Sequence, residues 1–123
     1  MKESKKILII DDEELIIRSL EKLLEREGFT VFLAKNGQQA LAMVEKDTFN
    51  LIIADIRMPG INGVDTVDSI LKRKDFEGTP VIFITGYADS DIKRRATELK
   101  PLAYIYKPFD IRELVNKVRE ALT

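Results

Sequence analysis

Four short apolar runs of the sequence are each followed directly by residues with reactive side chains: carboxylates, a hydroxyl or an ammonium group. Asp11 to Glu14 follow the first run, Asp55 the third, Thr85 the fourth and Lys107 the fifth. The chain has no histidine and no cysteine, so the side-chain metal ligands that these residues can provide are oxygen atoms. An all-oxygen ligand set favours Mg²⁺ or Mn²⁺ over zinc or copper. We therefore expect a hard divalent cation if the ends of these runs meet.

Asp55 is the candidate nucleophile of such a site. An ionised carboxylate beside a divalent cation can attack phosphorus, because the metal neutralises oxygens of the incoming group. The Thr85 hydroxyl could donate to one phosphoryl oxygen, and the Lys107 ammonium could pair with another. If the first and third runs are neighbours, Asp11, Asp12 and Asp55 lie close together. Their repulsion then raises carboxylate pKa values or recruits a cation.

The apolar runs have the composition of buried β-strands. They are Ile7 to Ile10, Thr30 to Ala34, Leu51 to Ala54, Val81 to Ile84 and Ala103 to Tyr106. Segments with helical periodicity lie between them, so strand and helix alternate five times without a break in composition. This alternation predicts βα units around a parallel sheet with helices on both faces. Ligands of such sheets bind beyond the carboxyl ends of the strands, where the polar residues stand.

Several helix termini are marked in the sequence. The first helix should bury one apolar face and stop at Gly28. That face carries Ile16, Leu20, Leu23 and Leu24. Asn36 is a candidate N-cap of the second helix, and Asp110 and Glu113 have the spacing of a capping box at the last.

Composition limits the class of protein. The chain has 123 residues, 45% hydrophobic and 33% charged, which is typical of one soluble globular domain. Its 20 basic and 21 acidic residues leave a net charge of -1, with no overall attraction to nucleic acid or anionic membrane. The sequence contains neither a signal peptide nor a membrane span. We expect a single domain over residues 1–123, with no output domain, located in the cytoplasm.

Each polar residue has a plainer explanation when it is taken alone. Asp11 to Glu14 could stabilise a helix N-terminus by about 0.3 to 1 kcal/mol each. Asp55 could be a turn residue before Pro59-Gly60, and Lys107 a solvated charge. Gly60 and Gly63 are interpreted as turn glycines, because no GxxxxGK or GxGxxG pattern is present. The joint occurrence of all the required groups, in the required order, favours the phosphoryl site.

Four segments resemble the bacterial response-regulator receiver family. They are Asp11-Asp12, Leu51 to Gly63 (LIIADIRMPGING), Ile84-Thr85-Gly86 and Tyr104 to Phe109 (YIYKPF). The likeness runs essentially from end to end. It implies an α/β, flavodoxin-like fold: a doubly wound five-stranded parallel sheet of order 2-1-3-4-5. It also implies a phosphoacceptor of a two-component phosphorelay, not a dedicated enzyme.

The resemblance assigns the metal site. Asp55 resembles the phosphoacceptor. Asp12 and Asp55 resemble direct Mg²⁺ ligands, together with the backbone carbonyl of Arg57. Asp11 would act on the cation through water.

The resemblance also assigns the residues that would read the phosphoryl group. Thr85 resembles the switch hydroxyl, and Lys107 the phosphoryl-binding lysine. Tyr104 resembles the aromatic residue that turns inward on activation. The Lys107-Pro108 peptide would be cis.

Two features depart from the usual pattern of the family or occupy its variable positions. Lys100-Pro101 replaces the common Gly-Ala before the fifth strand, and should end the fourth helix firmly. Arg57 and Tyr87 occupy the positions that flank the site. Both are large enough to obstruct an attacking water, so we expect slow autodephosphorylation.

The resemblance implies protein partners. The phosphodonor would be a histidine kinase, a histidine phosphotransfer protein or a small phosphodonor. A downstream protein would meet the surface of the fourth helix, fifth strand and fifth helix. The basic run Lys93 to Arg95 lies on that helix, where a solvated face is the plainer interpretation. Neither direct nucleic-acid binding nor membrane insertion is expected.

Three other functions share parts of this pattern. A phosphatase of the haloacid-dehalogenase type needs a second carboxylate two residues after the nucleophile, where Arg57 stands. A flavin-binding electron carrier must bind phosphate in its first loop, which Asp11 to Glu14 would repel. A pseudo-receiver that only binds partners typically lacks one of the acidic or lysine positions, all of which are present here.

Overall fold

Strands and helices alternate along residues 4–86 and 90–123, which are the residues that the computed structural model describes. The strands are β1 (Lys6–Ile10), β2 (Thr30–Ala34), β3 (Leu51–Asp55), β4 (Val81–Thr85) and β5 (Ala103–Tyr106). The helices are α1 (Glu14–Arg26), α2 (Gly37–Lys46), α3 (Gly63–Leu71), α4 (Ser90–Glu98) and α5 (Ile111–Leu122). A short 3-10 helix over Lys74–Phe76, which the sequence did not predict, precedes β4.

The strands form one parallel sheet of order β2-β1-β3-β4-β5. This confirms the doubly wound, flavodoxin-like α/β fold. In the register of the sheet, Ile10 pairs with Ala34 on one side and with Ala54 on the other. The carboxyl ends of β1 and β3 therefore lie side by side at one edge of the sheet.

The sheet separates two apolar cores. Successive strand residues point to opposite faces, so Ile7 and Ile9 pack under α1 and α5, whereas Leu8 and Ile10 pack under the helices of the other face. Every residue of β3 and β4 is buried, as expected for central strands covered on both sides. The sheet thus holds its strand ends on a rigid support.

Helix boundaries follow the predicted signals, with one correction in the capping of α5. Gly28, at φ +96°, follows α1, and the Asn36 side chain accepts a hydrogen bond from the Gln39 amide at the start of α2. The capping-box prediction was wrong in its bonding. Asp110 caps the Arg112 amide at 2.9 Å, because the Glu113 amide already donates to the backbone carbonyl of Asp110.

The buried face of α1 also differs from the prediction. Ile17, not Ile16, is buried, together with Leu20 and Leu24. Ile16 is half-buried on the flank of the helix, where it lines a surface cavity with Pro108. The spacing predicted the helix and the buried positions Leu20 and Leu24, and was wrong only in the first turn, where Ile17 takes the place of Ile16.

Lys100 has an unusual backbone conformation behind α4. The helix ends at Glu98, as the Lys100-Pro101 pair predicts, and Lys100 then adopts a left-handed φ of 54°. Its amide donates to the Thr97 carbonyl at 3.0 Å, which closes the last turn. A lysine therefore occupies a position where glycine is the usual residue.

Among the helices of residues 4–86 and 90–123, none has both the length and the apolar character needed to cross a bilayer.

Candidate functional site

The register of β1 and β3 brings two aspartates together. Ile10 pairs with Ala54, so the next residues, Asp11 and Asp55, lie beside each other. Asp55 is the last residue of β3, whereas the sequence suggested that it would be the first residue of the loop. Asp11, Asp12 and Asp55 each offer a carboxylate oxygen, and these oxygens lie within 4.8 Å of one another. The predicted acidic cluster is therefore present at the carboxyl ends of β1 and β3.

Burial raises the pKa of the Asp11 and Asp55 carboxyl groups. Asp11 is 0% exposed and Asp55 3% exposed, whereas Asp12 is open to solvent. Burial raises the pKa of Asp11 to about 6; the hydrogen bond from the Glu13 amide opposes this shift, and the Asp55 charge adds to it. Burial also raises the pKa of Asp55, against the hydrogen bond from Lys107. Ionising both groups is therefore costly unless cations neutralise them.

Lys107 supplies one such cation. Its ammonium nitrogen lies 3.0 Å from Asp55 Oδ2, 3.5 Å from Asp11 Oδ2 and 2.6 Å from Glu13 Oε1. Burial disfavours its charge, but the hydrogen bonds to Glu13 and Asp55 outweigh that effect, so the pKa of Lys107 is raised. The lysine remains charged throughout the pH range in which the carboxyl groups titrate.

The acidic cluster fits a hard divalent cation. Asp11 Oδ2 is buried and has no hydrogen-bond partner among the described residues, although it lies near the Lys107 charge. Asp12 keeps the cluster open to solvent on one side. Carboxylate oxygens of this kind are the ligands that Mg²⁺ prefers. An unpartnered buried oxygen beside two further carboxylates is thus suited to a cation and its water shell.

The other predicted site residues lie around this cluster. Thr85 is the last residue of β4, one position beyond the Asp55↔Ile84 pair, and is fully buried. The Arg57 amide donates to Asp55 Oδ1 at 3.2 Å, and its side chain is exposed. The Lys107-Pro108 peptide is cis, as the resemblance implied. Tyr87, the second predicted flanking residue, lies outside the described residues.

Tyr104 lies further from the cluster, on β5. The residue is half-buried, and its hydroxyl oxygen is buried with no hydrogen-bond partner among the described residues. Burial raises its pKa, with a smaller contribution from Tyr106. Its ring packs against the core on the α2, α3 and α4 side of the sheet.

The basic run on α4 does not form a uniform patch. The ammonium nitrogen of Lys93 lies over the rings of Tyr104 and Tyr106, at 5.7 and 5.2 Å from their centroids. Arg94 and Arg95 pair with aspartates of α4 and α3. These positive charges therefore interact with aromatic rings and aspartates of the same chain.

Two residues at the site were not found from the sequence. Glu13 was counted only as one of four acidic residues, yet its carboxylate binds Lys107. Gly63 was interpreted as a turn glycine, but a Cβ atom there would lie 2.0 Å from the Asp55 carbonyl oxygen. A residue larger than glycine therefore fits between α3 and the end of β3 only if the backbone shifts. Only Gly60, at φ +81°, is a turn glycine of the predicted kind.

Comparison with known proteins agrees with this geometry. The family model of the response regulator receiver domain matches residues 7–119. The chain is 38% identical over 117 residues to the transcriptional regulatory protein CpxR of Escherichia coli, covering 95% of this chain but 49% of CpxR. It is 37% identical over 121 residues to sporulation initiation phosphotransferase F of Bacillus subtilis, covering 97% of this chain and 94% of that protein. The chain thus spans about half the length of CpxR and nearly all of the phosphotransferase.

A solved structure shares the fold. Response regulator protein TrrA of Thermotoga maritima, crystallised in complex with Mg²⁺ and BeF, superposes with a TM-score of 0.81. It is 34% identical, and the match covers 96% of this chain and 99% of that one.

Proposed function

Because this chain belongs to the response regulator receiver family, we propose that it is a phosphoacceptor of a two-component phosphorelay, with Asp55 as the phosphorylated residue. The observation that carries the proposal is the position of Asp55. Its carboxylate lies within 4.8 Å of the carboxylates of Asp11 and Asp12 and 3.0 Å from the Lys107 ammonium. The proposed acceptor, the proposed metal ligands and a cation that could pair with the product would thus share one site.

The reaction that this site would perform is a single displacement at phosphorus. An oxygen of the Asp55 carboxylate attacks, and a new P–O bond forms an acyl phosphate. The P–N bond to the donor histidine, or the P–O bond to acetate in acetyl phosphate, breaks, and its electron pair leaves with the donor. Residues 1–123 contain no histidine, so a histidine donor would lie outside this sequence.

Other residues of the site would hold Mg²⁺ and the phosphoryl group. Asp12, Asp55 and the Arg57 carbonyl would hold Mg²⁺ directly, and Asp11 would hold it through water. When bound, the ion neutralises charge on the transferring phosphoryl oxygens. Lys107 would pair with a phosphoryl oxygen from the opposite side. The Mg²⁺–BeF complex of TrrA supports this assignment, since BeF is an analogue of a phosphoryl group.

Thr85 and Tyr104 would report the phosphorylation. The Thr85 hydroxyl would donate to a phosphoryl oxygen, since Thr85 lies one residue beyond the strand position paired with Asp55. Tyr104 pairs with Phe83, two residues before Thr85, so movement of β4 at Thr85 reaches Tyr104 through adjacent strand positions. A downstream protein would read this change on the face formed by α4, β5 and α5. The charge-assisted hydrogen bonds from Lys107 and Thr85 to the phosphoryl group would supply about 1.5 to 3 kcal/mol each. This is the order of free energy needed to shift a two-state equilibrium.

Membership of the family supports a proposal for the partners and the cellular location. The upstream partner would be a histidine kinase or a histidine phosphotransfer protein, and the chain would catalyse its own phosphoryl transfer and not act as a dedicated enzyme. We also propose that residues 1–123 act as one receiver domain in the cytoplasm. The shared five-stranded sheet and its two cores support the single domain. Slow autodephosphorylation, which depends on Arg57 and Tyr87, stays a prediction.

Intact-mass spectrometry tests the proposal. The protein is incubated with Mg²⁺ and acetyl phosphate, beside an Asp55→Asn variant and a sample that contains EDTA. We expect one phosphoryl adduct in the wild-type protein with Mg²⁺, and none in the other two samples. A wild-type protein that stays unmodified would indicate a module that binds partners without phosphorylation, and the proposal would be abandoned.

A further inference from the structure

Glu13 accepts a hydrogen bond from Lys107, the lysine on which the proposed phosphoryl site depends. Its Oε1 atom lies 2.6 Å from the Lys107 ammonium nitrogen, closer than Asp55 Oδ2 at 3.0 Å or Asp11 Oδ2 at 3.5 Å. The Lys107 side chain is 11% exposed and that of Glu13 is 53% exposed. Glu13 therefore approaches the ammonium group from the solvent side, whereas Asp11 and Asp55 approach it from the interior.

An ammonium group has three hydrogen-bond donors. That of Lys107 donates to Glu13 and Asp55 and lies 3.5 Å from a third carboxylate, Asp11. A phosphoryl group on Asp55 extends beyond the carboxylate oxygens. The Lys107 donor that would meet it is one of those directed away from the core, and Glu13 accepts on that side. Because Glu13 is also an anion, it repels an incoming dianion while it holds the lysine.

We propose that Glu13 is a positioning residue that competes with the phosphoryl group for Lys107 and so restrains phosphorylation of Asp55. The inference rests on the proposed function and adds a regulator of the same site. The Glu13 carboxylate releases Lys107 as a phosphoryl oxygen takes its place. Its negative charge meanwhile favours cation binding at the neighbouring acidic cluster. Glu13 thus has opposite effects on the two ligands of the site.

Two variants separate the charge of Glu13 from its contact. Glu13→Gln removes the charge. Glu13→Asp keeps the charge but shortens the side chain by one carbon–carbon bond, about 1.5 Å, which withdraws it from Lys107. Glu14→Gln is the matched control, because it removes the same charge one residue later. Glu14 pairs with Arg18 and Lys35, at 3.9 and 3.7 Å, and not with Lys107.

The experiment measures two dissociation constants in each variant: that of Mg²⁺ by calorimetry, and that of beryllofluoride at saturating Mg²⁺ by ¹⁹F NMR. For Glu13→Gln we expect beryllofluoride to bind about three- to tenfold more tightly and Mg²⁺ about two- to fivefold more weakly. Glu13→Asp should tighten beryllofluoride binding with Mg²⁺ affinity close to that of the wild type. Glu14→Gln should change each constant by less than about twofold.

The ammonium signal of Lys107 gives a second, spectroscopic test. With ¹⁵N-lysine labelling, its protons should exchange with water faster in Glu13→Gln than in the wild type when no ligand is bound. The difference should vanish once beryllofluoride is bound, since Glu13 has then already been displaced. A general loss of structure would instead shift many signals and lower the urea midpoint.

The results decide between the two proposals. Beryllofluoride affinity in Glu13→Gln that equals that of Glu14→Gln, or that is weaker than in the wild type, overturns the role of Glu13 alone. A wild-type protein that binds Mg²⁺ but no beryllofluoride overturns the proposed function, and with it the basis of this inference.

Discussion

The ammonium nitrogen of Lys107 lies 3.0 Å from Oδ2 of Asp55, between the ends of β3 and β5. The two side chains are 52 residues apart in sequence, and both are almost entirely withdrawn from solvent. A buried carboxylate and ammonium group are stable together only because each compensates the other's charge. The stability of the site therefore depends on pH and on cations.

The buried Asp11 carboxyl should make the metal-free protein less stable as the pH rises. Its pKa of about 6 in the folded protein exceeds the ordinary value of 3.8, so the folded state holds more protons between these values. The stabilisation is fully present below about pH 4 and is lost as the pH rises through about 6. The expected loss is on the order of 2 to 3 kcal/mol.

Asp11→Asn should remove most of this dependence. Urea unfolding with EDTA, at about pH 4.5 and about pH 7.5, measures the free energy of unfolding of both proteins. We expect the variant to gain stability relative to the wild type at the higher pH. Equal pH dependence in the two proteins would show that the Asp11 charge is not costly.

Gly63→Ala should destabilise the protein and displace Asp55. The new Cβ atom would lie 2.0 Å from the Asp55 carbonyl oxygen and 3.0 Å from the Ile56 Cα, both of which are backbone atoms. We expect a loss of about 2 to 3 kcal/mol in urea unfolding, with slower phosphorylation by acetyl phosphate.

Gly60→Ala is the control for that substitution. Gly60 has a φ of +81°, but a Cβ atom added there would meet no heavy atom within 4 Å. Only backbone strain of about 1 kcal/mol is therefore expected. Similar losses in both variants would argue against a close approach at Gly63.

Tyr104→Phe should stabilise the unphosphorylated protein slightly. The Tyr104 hydroxyl is buried without a hydrogen-bond partner among the described residues, and such a group is costly to desolvate. We expect a gain of about 0.5 to 1 kcal/mol in urea unfolding. Tyr106→Phe, at a residue 49% exposed on the same strand, should change stability by less than about 0.5 kcal/mol. A clear loss in Tyr104→Phe would mean that the hydroxyl is satisfied.

Lys100→Gly should also stabilise the protein. Lys100 has a φ of 54°, which costs a side-chain-bearing residue about 1 kcal/mol and glycine very little. We expect a gain of about 0.5 to 1 kcal/mol in the thermal or urea transition. Lys100→Val should lose stability instead, since β-branched residues are the least tolerant of this conformation. The reverse order of the two variants would contradict the observed backbone geometry.

The sequence predicted the parts of the fold that depend on regular patterns. Apolar runs and helical periodicity located the strands and helices, and the resemblance supplied the strand order that brings Asp11 and Asp55 together. Ile17 was missed because Ile16 and Ile17 lie four and three residues before Leu20, and both spacings fit the same helix face. Local spacing does not specify which of the two isoleucines is buried.

The sequence could not predict contacts between distant side chains or backbones. The Glu13 contact with Lys107 joins residues 94 positions apart, and depends on where two flexible side chains meet. The role of Gly63 depends on how closely α3 approaches β3, which a Met-Pro-Gly turn motif does not reveal. Both features are contacts between elements distant in sequence, which local patterns do not specify.

Chemical mapping of the phosphorylated residue tests the central claim most directly. The protein is phosphorylated with acetyl phosphate and Mg²⁺, reduced with borohydride, which converts an aspartyl phosphate to homoserine, and digested for peptide mass spectrometry. We expect homoserine at position 55 alone. Homoserine at Asp11 or Asp12, or at no position in a protein shown to bind Mg²⁺, would contradict the assignment of Asp55 as the phosphoacceptor.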